Sequence, residues 1–200
     1  MSVPAPLLSY PITICGLAEL AGHAETPFSH VVSILDPAWP EPKDFVSYIP
    51  HQRVVWRFDD VLTQRPGVIP PNRGDIQAIL NLGEVLVAEP AEHLLIHCHA
   101  GVSRSTAAAI ILLAQHNPSR EREAFVEVAR VRPRSWPNAL MLAIADDLLG
   151  RDGALTAALR SHQRQVVRNY PDLAEMLLRG DRAHEVFALE EDEARAVVGG

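Results

Sequence analysis

Cys98 and Arg104 are the two residues of this chain whose types and spacing point most directly to chemistry. Five residues separate them, and this intervening segment is polar and contains a glycine. A cysteine thiolate is a strong nucleophile, and a guanidinium binds two oxygens of a phosphate group at once. Loop N–H groups and the positive end of a following helix would converge on one point. The pattern predicts an oxyanion site with a sulfur nucleophile at its base.

The sequence on either side of this segment favours that arrangement. Leu94-Leu95-Ile96 has the composition of a buried strand, and the stretch from Arg104 to Gln115 is apolar nearly all round, which is typical of a helix inside a core. The residues expected to bind the oxyanion are His99, Ala100, Gly101, Val102, Ser103 and Arg104. The alternative, in which Cys98 is a small buried hydrophobic residue, leaves a polar loop at this place unexplained.

Cleavage of a phosphate ester by a thiolate also requires a proton donor for the leaving oxygen. The donor must lie outside the carboxyl ends of the strands, at the same edge of the sheet as the cysteine. The strand that ends at Phe58 brings Asp59 and Asp60 to that edge. Because adjacent residues of an extended chain point in opposite directions, only one of the two is expected to face Cys98.

The string His97-Cys98, five residues, Arg104-Ser105 resembles the signature of the cysteine-based protein tyrosine phosphatases. Residues 100–105 are most similar to the dual-specificity branch and its small bacterial relatives. This resemblance implies that Cys98 is the nucleophile and that Arg104 binds phosphate. It also implies that the Ser105 hydroxyl eases departure of the cysteine in the second step and that His97 supports the thiolate from behind.

The resemblance further guides the choice of the acid. In that family an apolar strand end is often followed by two residues, of which the second is the acid, so Asp60 is chosen as general acid and then general base. Asp59 is the reserve candidate. The implied activity is hydrolysis of phosphate monoesters through a cysteinyl-phosphate, without a cofactor.

The expected substrate is a phosphorylated protein, on tyrosine or with dual specificity, or a small phosphate ester. A phosphoinositide or inositol phosphate is the main enzymatic alternative. Family members that act on those polyanions tend to carry lysines in the signature loop, whereas this loop has only His99. A phosphate-binding module without turnover is the alternative from another class, but such proteins usually lose the cysteine, the arginine or the acid.

Three weaker features have structural interpretations beside functional ones. Arg65, in the segment Leu62 to Pro70, either overhangs the pocket or is an ordinary exposed arginine, and we favour the second. Asn138 after Pro137 resembles a second-shell residue of the dual-specificity phosphatases and is equally suited to begin a helix. Zinc is the weaker interpretation of the cluster His93, His97, Cys98 and His99, because no second Cys/His pair accompanies it.

The elements that must position these residues indicate one α/β domain over 1–200, with 171–200 as a possible loosely attached tail. Short apolar runs predict a central, mainly parallel sheet of four to five strands flanked by helices, followed by a helical C-terminal half. The predicted strands are Ile12 to Cys15, Val31 to Leu35, Arg53 to Phe58 and Leu94 to Ile96. The predicted helices are Leu17 to Gly22, Asn72 to Val87, Arg104 to Gln115, Asn117 to Val131, Pro137 to Leu149 and Ala154 to Arg164.

The composition of the chain indicates which partners and which cellular compartment to expect. The formal charge of −7 and the sequence pI near 5.7 argue against a nucleic-acid partner, which normally meets a basic patch. Two cysteines far apart in sequence favour a reducing compartment. The sequence shows neither a signal-peptide pattern nor an apolar run of membrane-spanning length, so we expect a cytoplasmic protein without membrane insertion.

Overall fold

The computed structural model of this protein describes residues 5–189. Its strands are β1 (Ile12–Gly16), β2 (His30–Leu35), β3 (Gln52–Arg57) and β4 (Leu94–Cys98). Its α-helices are α1 (Arg73–Ala88), α2 (Arg104–Gln115), α3 (Glu121–Val131), α4 (Ala139–Leu149), α5 (Ala154–Asn169) and α6 (Pro171–Leu178). Two 3-10 helices span Leu17–His23 and Lys43–Ser47, and residues 183–189 are again helical.

The four strands form one parallel sheet in the order β1-β4-β2-β3. This architecture confirms the predicted α/β fold with a parallel sheet and a helical C-terminal half. Parallel pairing follows from the sequence, because helical segments connect strands whose apolar residues need cover on both faces. The order places β4 between two neighbours, so the residue at its carboxyl end lies in the middle of that edge of the sheet.

The two faces of the sheet are covered differently. Leu94, Ile96 and Cys98 of β4 point into the main core, which α1 to α5 close. Leu95, between them, points to the opposite face, where a smaller cluster forms under the 3-10 helices. Side chains alternate along a strand, so Cys98 and its neighbour His97 lie on opposite faces.

Asparagine caps fix the starts of two helices. Asn72 accepts N–H bonds from Gly74 and Asp75, so it caps α1, which begins at Arg73, one residue after the predicted start. Asn138 accepts from the Met141 N–H and begins α4, which ends at the left-handed Gly150 as predicted.

The third helix begins later than the sequence predicted. The predicted helix opened at Asn117, a residue type that often caps helices, but α3 starts at Glu121. The Asn117 amide instead donates to the carbonyls of Leu7 and Leu113, so it ties the end of α2 to the N-terminal segment. A tertiary contact therefore replaces the local cap.

The C-terminal region differs from the loosely attached tail predicted from residue 171. Residues of α6 and of the helical stretch 183–189 pack into a third cluster around the fully buried Trp136. The members from the C-terminal region are Leu173, Leu177, Val186 and Leu189. The rest of the predicted tail, residues 190–200, lies outside the described residues. Within residues 5–189 no helix is long and apolar enough to cross a bilayer.

Candidate active site

Cys98 ends β4 in the middle of the sheet edge, and Arg104 begins α2 directly after the connecting loop. The thiol is 2% exposed. The Gly101 N–H donates to Cys98 Sγ at 3.3 Å, and Ser105 Oγ lies 3.2 Å from the same sulfur. The sulfur therefore lies at the base of the loop, within reach of a backbone donor and a hydroxyl.

The carbonyl groups of the loop are bound from outside. Arg132, just after α3, donates from Nε to Gly101 O at 2.9 Å and from Nη2 to Ala100 O at 3.2 Å. Glu19 holds the same guanidinium by two contacts of 2.8 and 2.5 Å. Since these carbonyls point away from the centre of the loop, the amide groups on the other side of the peptide planes are turned toward it.

Backbone donors from three other segments bind the remaining carbonyls. Leu17 N donates to His99 O at 2.9 Å, Trp136 N to Val102 O at 2.9 Å and Asn138 N to Ser103 O at 3.3 Å. Every carbonyl from residue 99 to 103 thus has a donor outside the loop. The concave side is left as a ring of amide dipoles, which is the geometry of an anion site.

Two glycines allow the loop to rest on the end of β1. Gly101 has φ +67°, and a Cβ there would lie 2.4 Å from the carbonyl carbon of Cys15. A Cβ on Gly16 would in turn lie 2.9 Å from His99 O. Both contacts are with backbone, which has no alternative rotamer. Gly101 is therefore required for its conformation and for its close approach.

Arg104 is 2% exposed, and hydrogen bonds to one end of its guanidinium fix its position. Its Nη1 donates to Asp36 Oδ1 at 2.6 Å and to Phe58 O at 2.7 Å, while Nε is buried without a hydrogen-bond partner in the described part of the chain. A buried N–H without a partner is costly and invites an acceptor. An oxyanion at the loop supplies that acceptor.

Asp36 is a site residue that the sequence analysis missed. Its place directly after β2, a central parallel strand, puts it at the same edge of the sheet as Cys98. It pairs with Arg104 and lies 3.6 Å from His99 Nδ1. The Asp36 N–H donates to His99 Nε2 at 3.3 Å, so the ring proton of the neutral imidazole is on Nδ1, facing the carboxylate.

The two candidate acids separate as adjacent extended residues should. Asp60 Oδ1 accepts from Ser103 Oγ at 2.7 Å and from Asn138 Nδ2 at 2.9 Å, which places this exposed carboxylate against the signature loop. Asp59 Oδ2 instead accepts from Ile69 N at 2.6 Å and closes its own loop. Asp60 is the one brought to the loop, and Asn138 both caps α4 and holds it.

His97 and His99 have different surroundings. His97 is fully buried on the face opposite Cys98 Sγ, with Nε2 2.6 Å from Ser33 Oγ. Desolvation, assisted by the charge of Arg53, lowers the pKa of His97 to about 4. Desolvation also lowers the pKa of His99, so this loop residue is neutral at neutral pH.

The structure also bears on two weaker features of the sequence, Arg65 and the possible metal site. Arg65 is exposed and pairs with Asp181 of the C-terminal segment at 3.1 Å, rather than with the loop. Across residues 5–189 no group of three or more His, Cys, Asp or Glu side chains is arranged to hold a metal ion.

Comparisons with known proteins identify the fold. No family model and no curated protein sequence matches this chain. Among solved structures it is similar to the PTP-2 phosphatase of Cydia pomonella, with a TM-score of 0.55 and 20% identity over 74% of this chain and 90% of that one. Human DUSP28 gives a TM-score of 0.52 and 16% identity over 80% and 96% of the two chains. The Yvh1 phosphatase domain from Chaetomium thermophilum gives 0.50 and 21% over 72% and 93%.

These likenesses define the class of fold. The chain has the fold of the dual-specificity and protein tyrosine phosphatases, as the sequence predicted. Its cysteine, arginine and aspartate are grouped at one edge of the sheet of that fold.

Proposed function

We propose that this protein hydrolyses phosphate monoesters through a cysteinyl-phosphate formed on Cys98. The observation that carries the proposal is the loop after β4, in which every carbonyl is bound from outside while the Gly101 N–H and Ser105 Oγ contact the sulfur. The buried Nε of Arg104, without a partner in the described residues, supports the same ligand. Such an arrangement stabilises both a thiolate and a phosphoryl group.

The first step transfers the phosphoryl group to sulfur. The Cys98 thiolate attacks phosphorus, a P–S bond forms and the P–O bond to the leaving group breaks. The loop amides and the Arg104 guanidinium hold the three phosphoryl oxygens as their charge develops. Asp60, protonated on the oxygen not bound by Ser103, gives its proton to the leaving oxygen.

The second step hydrolyses the intermediate. Asp60, now ionised, takes a proton from water as the water oxygen attacks phosphorus, the P–S bond breaks, and inorganic phosphate and the thiolate are produced. The Ser105 hydroxyl, 3.2 Å from the sulfur, donates to the departing thiolate. Asp36 contributes indirectly, because it holds the Arg104 guanidinium that binds the phosphoryl oxygens.

The substrates we propose are phosphotyrosine or dual-specificity protein substrates, or small aryl phosphates. The loop carries no lysine, and His99 is neutral at neutral pH, so Arg104 is the cation that the signature loop presents to a substrate. That charge suits one phosphate rather than the several of an inositol polyphosphate. The Trp39 ring, 46% exposed, lies 4.5 Å from the His99 ring and offers an aromatic surface beside the loop.

Substitution of the nucleophile tests the covalent mechanism. Cys98→Ser should abolish hydrolysis of p-nitrophenyl phosphate, measured near pH 6 without added metal, while vanadate binding by calorimetry remains. Cys15→Ala is the matched control, because Cys15 is equally buried but belongs to the cluster on the other face of the sheet. Normal turnover by Cys98→Ser would exclude the proposed cysteinyl-phosphate intermediate.

The neighbouring aspartates provide the test of the acid. Asp60→Ala should lower kcat by roughly 10²–10⁴-fold, the usual contribution of a positioned acid–base group. Asp59→Ala should have a small effect, since its carboxylate serves the Ile69 N–H. The reverse result would move the acid to Asp59.

A further inference from the structure

Arg182, between α6 and the helical stretch 183–189, reaches the signature loop from a region in which the sequence showed no motif. Its Nη1 donates to Ser103 Oγ at 2.9 Å. The Ser103 hydroxyl in turn donates to Asp60 Oδ1 at 2.7 Å. A continuous chain of two hydrogen bonds therefore joins a guanidinium of the C-terminal segment to the carboxylate proposed as the acid.

The direction of these bonds is fixed by the donor types. A guanidinium only donates, so Ser103 Oγ must accept from Arg182, and its single proton is left for Asp60. With Asn138 Nδ2 also on Oδ1, that oxygen has two donors. A proton on the carboxyl group then belongs on Oδ2, which is the oxygen available to a leaving group.

Arg182 is itself held firmly. Glu185 binds its Nε and Nη2, and the carbonyls of Trp136 and Pro137 accept from Nη1 and Nη2 at 3.3 Å. Glu185 is anchored in turn by Trp136 Nε1 at 3.0 Å. The guanidinium is thus set by buried groups, and it is 18% exposed at its side chain.

The same segment borders the acid on its open side. Arg182 and Asp60 line one cavity of about 370 Å³, together with Val61, Leu62, Thr63, Arg65, Asp181 and His184. Asp181, next to Arg182, also pairs with Arg65 of the loop that follows Asp60. The C-terminal segment, more than 100 residues away in sequence, therefore reaches Asp60 through Ser103. It also reaches the loop after Asp60 through Arg65.

We propose that Arg182 is a positioning residue for Asp60, acting through the Ser103 hydroxyl. This inference rests on the proposed function, because it concerns the orientation in which Asp60 gives its proton to the leaving group. Without Arg182 the Ser103 hydroxyl loses the donor that directs its proton toward Asp60, and the Asp60 carboxyl is oriented chiefly by Asn138.

The test compares two esters with the full-length enzyme. Arg182→Ala should lower kcat/KM, which reports the step that releases the leaving group, about tenfold for phenyl phosphate, whose poor leaving group needs the proton. For 2,4-dinitrophenyl phosphate, which does not need it, kcat/KM should fall less than about twofold. Retained turnover of the second ester shows that the variant is folded. Arg179→Ala is the control, since Arg179 lies in the same segment and pairs with the exposed Glu175 of α6.

A double-mutant cycle identifies the route. Ser103→Ala leaves the Arg182–Glu185 pair in place and should reproduce the selective loss in kcat/KM, and Arg182→Ala added to it should reduce kcat/KM for phenyl phosphate no further. Equal losses on both esters, no loss, or additive losses would each overturn the positioning role. If the wild-type enzyme fails to hydrolyse either ester through Cys98, the proposed function fails first, so the two failures are distinguishable.

Discussion

The signature loop and the acid that faces it are held by different kinds of contact. From residue 99 to 103 the loop is fixed through its backbone, since each carbonyl has its own donor and Gly101 lies against the backbone of Cys15. Asp60 is exposed and is fixed through side chains, by Ser103 and Asn138 directly and by Arg182 at one remove. The anion site therefore depends on backbone geometry, whereas the position of the proton donor depends on a few side chains.

This difference suits the two tasks. The loop must present the same ring of amides to every phosphoryl group, and dipoles that do not reorganise during the reaction give the strongest stabilisation. The acid serves leaving groups that vary in size and position. Single substitutions should accordingly disable the loop region, while those around Asp60 should change rates by degrees.

The largest expected effect follows from Gly101→Ala, which breaks the backbone-held region. The added Cβ would meet the Cys15 carbonyl carbon at 2.4 Å, and φ +67° is strained for alanine. The loop must move, and kcat for p-nitrophenyl phosphate should fall on the order of 10³-fold. Gly150→Ala is the control, because it has φ +60° with open space around it and lies at the end of α4. It should cost about 1–2 kcal/mol in unfolding free energy and leave kcat unchanged.

Ser105→Ala should have the next largest effect, and it should divide the two chemical steps. A hydrogen bond to a charged group contributes about 1.5–3 kcal/mol, so hydrolysis of the intermediate should slow by roughly 10–10²-fold. Formation of the intermediate should continue, and rapid-quench kinetics should show a burst of released phenol close to one equivalent. A slow first step without a burst would argue against this assignment of Ser105.

Arg132→Ala sharpens the comparison by loosening the loop without touching its concave side. Loss of the donors to Ala100 and Gly101 should weaken vanadate inhibition about tenfold, measured as the inhibition constant. Arg130→Ala is the matched control, because Arg130 is exposed and pairs with Glu127 on its own helix. Equal inhibition constants in the two variants would show that the loop keeps its shape without the hydrogen bonds from Arg132.

The smallest effect concerns stability and pH. The pKa of His97 is about 4 in the folded protein, against about 6.5 for an unperturbed histidine, so the unfolded chain binds more protons between these values. The stability that the neutral His97 contributes is fully present above about pH 6.5 and is lost as the pH falls toward 4. In His97→Asn the slope of unfolding free energy against pH should be smaller by about 1 kcal/mol per pH unit, measured by urea denaturation. An unchanged slope would contradict the buried neutral histidine.

Local sequence predicted most of the loop region and part of the acid region. The strand, loop and helix around Cys98 are consecutive, so their residue types already define the cradle. Asp60 was selected by resemblance, and strand alternation allowed only one of the two aspartates to face the loop. Asn117 shows where such reasoning failed, since its side chain made a tertiary contact in place of a helix cap.

By itself the sequence determined the parallel α/β framework and the content of the signature loop, because both depend on residues that are neighbours along the chain. Only the tertiary structure decided that Asp36 holds Arg104, that Arg132 binds the loop carbonyls, and that Arg182 reaches Ser103. These contacts join residues that are tens of positions apart. Side-chain hydrogen bonds across such separations leave no periodic or compositional trace, since they arise only when the packed core brings the segments together.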